Sequence, residues 1–341
     1  MRKLLTCLIL GLFTGAWGGT AMAESPSTDV IRSEFLKLID RPRVELSPKI
    51  EQMTAGDLIQ IHFSFASETS QRVPGILLKQ PGERRRPVVI VMHGTGGKKE
   101  SELKTLKELA AKGFVAVAID ARYHGERGTQ ADYNAAIARA FEKGGEHPLY
   151  YDTVWDAMRL IDYLQTRDDI DPKRIGLMGI SKGGIETYFT AAADARVAVA
   201  VPCIGVQSFR WALDHDAWHG RVGTIRKGFE AAAQSAGVEK PDAAFVTKFY
   251  DRVVPNIYTD FDGPMMMTLI CPRPLLIING DSDDKTPLPG VQLCGTAGKD
   301  CYRIADASEK FKQIIQPHTG HAVTSEAHKE AIDWFVKWLK P

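Results

Sequence analysis

Cysteine is scarce in this chain, neither sign of charge is in excess, and apolar runs long enough to cross a bilayer are missing. The 341 residues hold 43 basic and 42 acidic side chains. That balance gives no electrostatic reason to expect nucleic acid or a membrane surface as a partner. Internal repeats and low-complexity tracts are absent as well, which leaves one large domain with a sizeable core.

The first residues stand apart. Arg2 and Lys3 precede an apolar stretch from Leu4 to Trp17, and small residues then lead to Ala21-Met22-Ala23. A basic start, a short apolar core and an A-x-A pattern together read as a secretory signal peptide over residues 1–23, cut before Glu24. The stretch is too short for a membrane span, which needs about 20 apolar residues. The mature chain, 24–341, is therefore expected outside the cytoplasm, in a periplasm.

Four cysteines remain in that mature chain: Cys203, Cys271, Cys294 and Cys301. Cys294 and Cys301 flank Gly-Thr-Ala-Gly-Lys-Asp, a segment able to turn back on itself. In an oxidising compartment a Cys294–Cys301 bridge is expected. Cys203 and Cys271 border apolar runs and read as buried thiols.

Residues 58–66 alternate apolar and polar, as a half-buried strand does, and 73–79 follow as a hairpin partner. The centre changes character. Short runs rich in β-branched residues lie at 88–92, 114–119, 174–178, 197–201 and 275–279, and they do not alternate. Such runs suit strands covered on both faces. Helical patterns separate them, at 101–112, around Val154, Met158, Ile161 and Leu164, and at 185–193, with a last helix near 325–339. The alternation predicts an α/β fold: a mostly parallel central sheet flanked by helices. Residues 206–268 break the rhythm. They contain Trp211, Trp218, Pro255 and Met265-Met266-Met267, and read as a helical insertion over the active-site end of the sheet, within the same folding unit.

Gly179-Ile180-Ser181-Lys182-Gly183 matches G-x-S-x-G between a predicted strand and a predicted helix, the context this nucleophile motif requires. Glycines remove side chains that would collide in so sharp a turn, and the helix start places positive partial charge beside the hydroxyl. Beyond the strand 275–279 come Asp281, Asp283 and Asp284, each able to orient a histidine. His321 lies in a loop before the last helix, with His318 as a rival. Serine, acid and histidine thus follow in the chain order of one known hydrolase architecture. His93-Gly94-Thr95-Gly96-Gly97 follows the strand 88–92, so the amides of Thr95 and Lys182 are candidates for an oxyanion site. His215 and His219 lie four apart, but Asp216 stands where the zinc motif has Glu, and a third ligand is not evident, so no metal is expected. The Lys182 side chain reads as solvated or locally paired.

These motifs, with Asp120-Ala-Arg-Tyr-His-Gly-Glu-Arg127, Asp152-Thr-Val-Trp-Asp156, Asp169-Ile-Asp-Pro-Lys-Arg-Ile-Gly176 and Gly205-Val-Gln-Ser-Phe-Arg-Trp211, resemble the α/β-hydrolase superfamily, close to its dienelactone hydrolase and prolyl oligopeptidase-like esterase branch. The resemblance runs from about residue 70 to the C-terminus. It implies an α/β-hydrolase fold and cofactor-free hydrolysis through an acyl-enzyme, usually of small-molecule carboxylic esters. It places the acid three residues after a strand-end glycine and four before a proline, which selects Asp283 between Gly280 and Pro287. The implied triad is Ser181, Asp283 and His321. Lys182 departs from the Leu, Met or Gln common in relatives. Tyr123, Trp211 and Trp218 are candidate substrate contacts. A peptidase or thioesterase could use the same groups, and a binding protein could use the same fold.

Overall fold

The computed structural model describes residues 27–55, 57–82 and 84–341. The signal peptide expected over 1–23 lies outside the described residues.

The apolar runs form the centre of a nine-stranded sheet. In chain order its strands are β1 (Lys49–Ala55), β2 (Leu58–Glu68), β3 (Gln71–Lys79), β4 (Arg86–Met92), β5 (Val115–Ile119), β6 (Ile170–Ile180), β7 (Val197–Cys203), β8 (Leu275–Gly280) and β9 (Phe311–Gln316). Across the sheet the order is β1-β2-β3-β5-β4-β6-β7-β8-β9. The first three strands form an antiparallel meander, which joins β5 antiparallel. From β5 through β4, β6, β7 and β8 to β9 every pairing is parallel.

Parallel neighbours need long crossovers. The helices are α1 (Thr28–Ile39), α2 (Leu103–Ala111), α3 (Gln130–Lys143), α4 (Tyr151–Gln165), α5 (Lys182–Ala193), α6 (Phe209–Asp214), α7 (His219–Gly223), α8 (Arg226–Ser235), α9 (Ala243–Val253), α10 (Gly263–Ile270), α11 (Leu288–Ile304) and α12 (Ser325–Leu339). Two cores result, one on each face of the sheet. Val88, Ile90 and Met92 pack with residues of α1, α4 and α5, while Val89 and Val91 pack under α2 and α12. Alternate residues of one strand therefore serve opposite cores, which is why the runs are continuously apolar. Each such buried side chain contributes about 1.5–3 kcal/mol. No helix among the described residues is long and apolar enough to cross a membrane.

Residues 206–268 carry α6 to α10 between β7 and β8, and α8 packs on α3, where a Cβ on Gly228 would lie 2.9 Å from Ile137. Two strands, β1 and β9, were not expected from the sequence. Both are edge strands, and Phe311-Lys-Gln-Ile-Ile-Gln316 is short, mixed and only half-buried over most of its length.

The expected Cys294–Cys301 bridge is corrected by α11, which contains both residues. Seven residues along a helix rise about 10 Å, beyond the roughly 7 Å that a disulfide spans between Cα atoms. Cys294 is a buried free thiol, as is Cys203. The glycines between the two helical cysteines do not turn the chain. A Cβ on Gly295 would sit 2.1 Å from Gln313, and one on Gly298 would sit 2.5 Å from Phe311. They let α11 lie close against β9.

Candidate active site

Ser181 stands between β6 and α5 with φ +57° and ψ −112°, a conformation that side-chain-bearing residues rarely adopt. The glycines of the motif explain how the turn closes. A Cβ on Gly179 would fall 2.3 Å from the Gly183 carbonyl oxygen, and one on Gly183 would fall 2.2 Å from that of Met92. Ser181 N–H donates to Cys203 O at 2.9 Å, tying the turn to the end of β7.

The loops after β8 and β9 bring two further groups to this serine. His321 Nε2 lies 2.7 Å from Ser181 Oγ, and His321 Nδ1 lies 2.7 Å from Asp283 Oδ2. Asp283 also accepts from Thr286 Oγ1 at 2.7 Å and from Lys285 N–H at 2.9 Å. Burial pushes its carboxyl up, but the bonds from His321 and Thr286 and the histidine's charge outweigh that and hold it below the usual range. An imidazole held in this way presents Nε2 to take a proton from Oγ.

The neighbouring aspartates have other positions. Asp281 accepts from His318 N–H at 2.9 Å and Thr319 N–H at 3.1 Å, so it fixes the backbone of the loop that carries His321. Asp284 is exposed and pairs with Lys285 Nζ at 2.9 Å. His318 is exposed, and it is His321 that reaches Ser181.

Thr95 follows Gly94, where a Cβ would lie 3.6 Å from Ser181 Cβ. Lys182 is the first residue of α5, so its N–H has no acceptor within the helix. Gly94 thus brings the loop that carries Thr95 against the nucleophile turn, and Lys182 opens the helix that follows it. The Lys182 side chain is not solvated: it is buried and forms an ion pair with buried Glu186, one helical turn on. Burial pushes Glu186 up to about 7, against the pull of Lys182.

A pair of rings not singled out by sequence braces the Thr95 loop. His93 Nε2 accepts from Ala121 N–H at 3.1 Å, so Nδ1 carries the proton and donates to Gly94 O at 2.8 Å. His124 lies beside it, with ring centroids 5.2 Å apart. Burial, helped by the Lys182 charge, pulls His93 down to about 4 and His124 to about 3, so both rings are neutral at pH 7. The stretch carrying His124 is clamped by charge. Arg122 Nε and Arg127 Nη1 donate to buried Asp156 of α4 at 2.8 and 2.6 Å, and Lys99 Nζ donates to Asp120 at 2.9 Å.

Tyr123, between the clamped residues, has φ +60° and donates its hydroxyl to Glu146 at 2.6 Å. With His124 and Gly96 it lines a cavity of about 260 Å³ beside the Thr95 loop. A larger cavity, about 780 Å³, lies between α11 and β9 and is lined by no member of the Ser181–His321–Asp283 set. Trp211 is half-buried, stacks on His215 at 4.3 Å, and lies near Gly290 at the start of α11. Trp218 departs from the expectation of a pocket-facing ring: it is 7% exposed and packs in the core that the insertion shares with α1, α4 and α5. His215 caps α6 and His219 opens α7, so the two do not share a helix face.

Residues 73–218 match the dienelactone hydrolase family. The chain is 28% identical over 275 residues to the "Putative hydrolase YtaP" of Bacillus subtilis (strain 168), covering 74% of this chain and 79% of that protein. Its fold is similar to acetyl xylan esterase 1 from Thermoanaerobacterium sp. JW/SL YS485, with TM-score 0.68, 18% identity, and 91% and 93% of the two chains covered. It is also similar to an acetyl xylan esterase from Paenibacillus sp. R4, with TM-score 0.65, 18% identity and 91% of each chain covered.

Proposed function

We propose that this α/β-hydrolase, with its dienelactone hydrolase family domain, is an exported serine hydrolase that cleaves carboxylic esters through an acyl-enzyme. The observation that carries the reading is the unbroken line of hydrogen bonds from Asp283 through His321 to Ser181. His321 Nε2 takes the hydroxyl proton as Ser181 Oγ bonds to the ester carbonyl carbon. The amides of Thr95 and Lys182 receive the oxyanion. The C–O bond to the alcohol then breaks, and His321 returns its proton to the leaving oxygen. Water, deprotonated by His321, attacks the acyl-enzyme and releases the acid. Asp283 keeps the proton on Nδ1 and stabilises the imidazolium as it forms. No step asks for a metal or cofactor.

Similarity to acetyl xylan esterases supports ester rather than peptide bonds and makes acetylated polysaccharide a first substrate class to examine. Export is supported by Arg2, Lys3, the apolar stretch and Ala21-Met22-Ala23. The test is a fluorophosphonate probe on the purified protein, with peptide mapping, beside hydrolysis of 4-nitrophenyl acetate and acetylated xylan. Labelling at Ser181 with ester turnover is expected. A folded protein that neither labels nor turns over esters would refute the reading.

A further inference from the structure

Cys301 cannot reach Cys294 along α11, but it faces another helix. α10 and α11 run side by side in the same direction. A Cβ on Gly263, the first residue of α10, would lie 2.7 Å from Cys294 Sγ. Further along both helices, Cys301 Sγ donates to Thr268 O at 3.9 Å. Cys271 is eight residues beyond Gly263, and Cys301 is seven beyond Cys294, a rise of about 11 Å on either helix. The shared register brings Cys301 level with the end of α10, where Cys271 is the capping residue.

That helix end has a vacancy for a donor. A helix carbonyl accepts from the N–H four residues on, and for Thr268 that residue is Pro272, which has no N–H. Cys301 supplies the missing donor. The next residue of α11, Tyr302, donates its hydroxyl to Arg273 O. Two consecutive residues of α11 therefore grip Thr268 and Arg273, on either side of Cys271. Burial pushes the Tyr302 hydroxyl up, and charge on Cys271 and on Cys301 adds to the rise, as it does when both sulfurs border one phenol. Neither of the other two described cysteines competes. Cys294 shares the helix of Cys301 at a separation that no disulfide spans. Cys203 ends β7, with its Sγ donating to Val201 O at 3.7 Å.

We propose that Cys271 and Cys301 are a disulfide site, closed when the chain meets an oxidising compartment. The inference rests on the export proposed above. The oxidant is itself a disulfide, that of a protein or of oxidised glutathione. Cys301 is 8% exposed and Cys271 is half-buried, so the oxidant enters at Cys271. The Cys271 thiolate attacks it, forms a mixed disulfide and expels one thiolate. The Cys301 thiolate then attacks the Cys271 sulfur and expels the second. Two thiols are oxidised, one disulfide is reduced, and both protons end on the expelled sulfurs.

The bridge joins residues thirty apart and encloses β8, Asp283 and most of α11. Cys271 precedes β8, whereas Ser181 follows β6, which runs in the same direction. The bridge therefore lies at the end of the sheet away from the nucleophile. It braces the segment that carries the triad acid without touching the site.

The test is made on protein reduced with dithiothreitol and then moved into oxidised glutathione. After denaturation, alkylation with iodoacetamide and digestion without reductant, the peptide with Cys271 should be joined to the peptide with Cys301, while Cys203 and Cys294 are alkylated. Returning dithiothreitol should lower Tm by about 5 °C and leave kcat/KM within about twofold. In Cys301→Ser the reductant should no longer move Tm. Alkylated Cys271 and Cys301 in the oxidised protein, or either one joined to a different cysteine, would overturn the site, and that reading needs no variant. A mapped bridge with a Tm indifferent to reductant would overturn the bracing. Failure of export shows separately: a bridge that forms in glutathione but is missing from protein alkylated inside the cells that make it would overturn export and leave the site standing.

Discussion

The strand ends and the helical insertion meet over one serine and fix side chains by different means. At the strand ends backbone geometry does the work. Ser181 follows β6 directly, Asp283 comes three residues after β8, and His321 comes five after β9. Parallel pairing aligns those ends, so groups 140 and 38 residues apart in the chain meet within 2.7 Å. In the insertion, Arg221 and Gln207 are held by side-chain contacts inside short helices and loops, and no strand register positions them. The first arrangement determines which bond is attacked.

The sharpest way to break this comparison is at the triad. Ser181→Ala removes one hydroxyl and should lower turnover by about 10⁴-fold or more with the fold intact. Asp283→Asn keeps the shape and should cost roughly three to four orders of magnitude. Asp281→Asn should cost far less, about tenfold, because it acts only through the backbone of the His321 loop, and exposed Asp284→Asn should be near neutral. Steady-state kinetics on one ester separates the four. A larger loss at Asp281 than at Asp283 would reverse their roles.

This contrast also explains what the sequence made legible. The G-x-S-x-G turn announces itself because only glycines fit at 179 and 183, two residues either side of Ser181, and the order of serine, acid and histidine along the chain is that of a known hydrolase architecture. The central runs were readable because burial on both faces leaves no alternation. Glycines in α11 misled, since sequence does not separate a glycine required by φ from one required by close approach. Gly295 and Gly298 are of the second kind. Arg221 left no signal of its own: a lone arginine in a five-residue helix looks like any surface charge until its burial is seen. The His93–His124 pair was hidden for the same reason.

A second test lies within the insertion. Trp218, packed in the core, should lose about 3–5 kcal/mol of stability on change to Ala. Trp211, half-buried against α11, should lose much less on the same change and alter relative rates across acyl chain lengths instead. Denaturant unfolding read beside a chain-length series distinguishes them. Equal stability losses would mean that the two rings do the same job.

The smallest effect sharpens the comparison through a buried carboxyl outside the insertion. Glu102 lies just before α2 and is 8% exposed, with neither hydrogen bond nor ion pair from its side chain among the described residues. Burial raises its carboxyl from 4.5 to about 7. Unlike Arg221, whose guanidinium stays charged, it can lose its charge by holding a proton. In the unfolded chain the group ionises near 4.5; in the fold it stays protonated until about 7. Its contribution is therefore complete below pH 4.5 and is lost as pH rises through 7, because ionisation then favours the unfolded state. A shift of this size corresponds to on the order of 3 kcal/mol. Glu102→Gln, which keeps the shape and cannot ionise, should match the wild type near pH 4.5 and exceed its stability by that amount above pH 8. Calorimetric Tm at the two pH values checks the sign. A constant offset at both would mean that the Glu102 carboxyl is paired or solvated, and the contrast with Arg221 would fail.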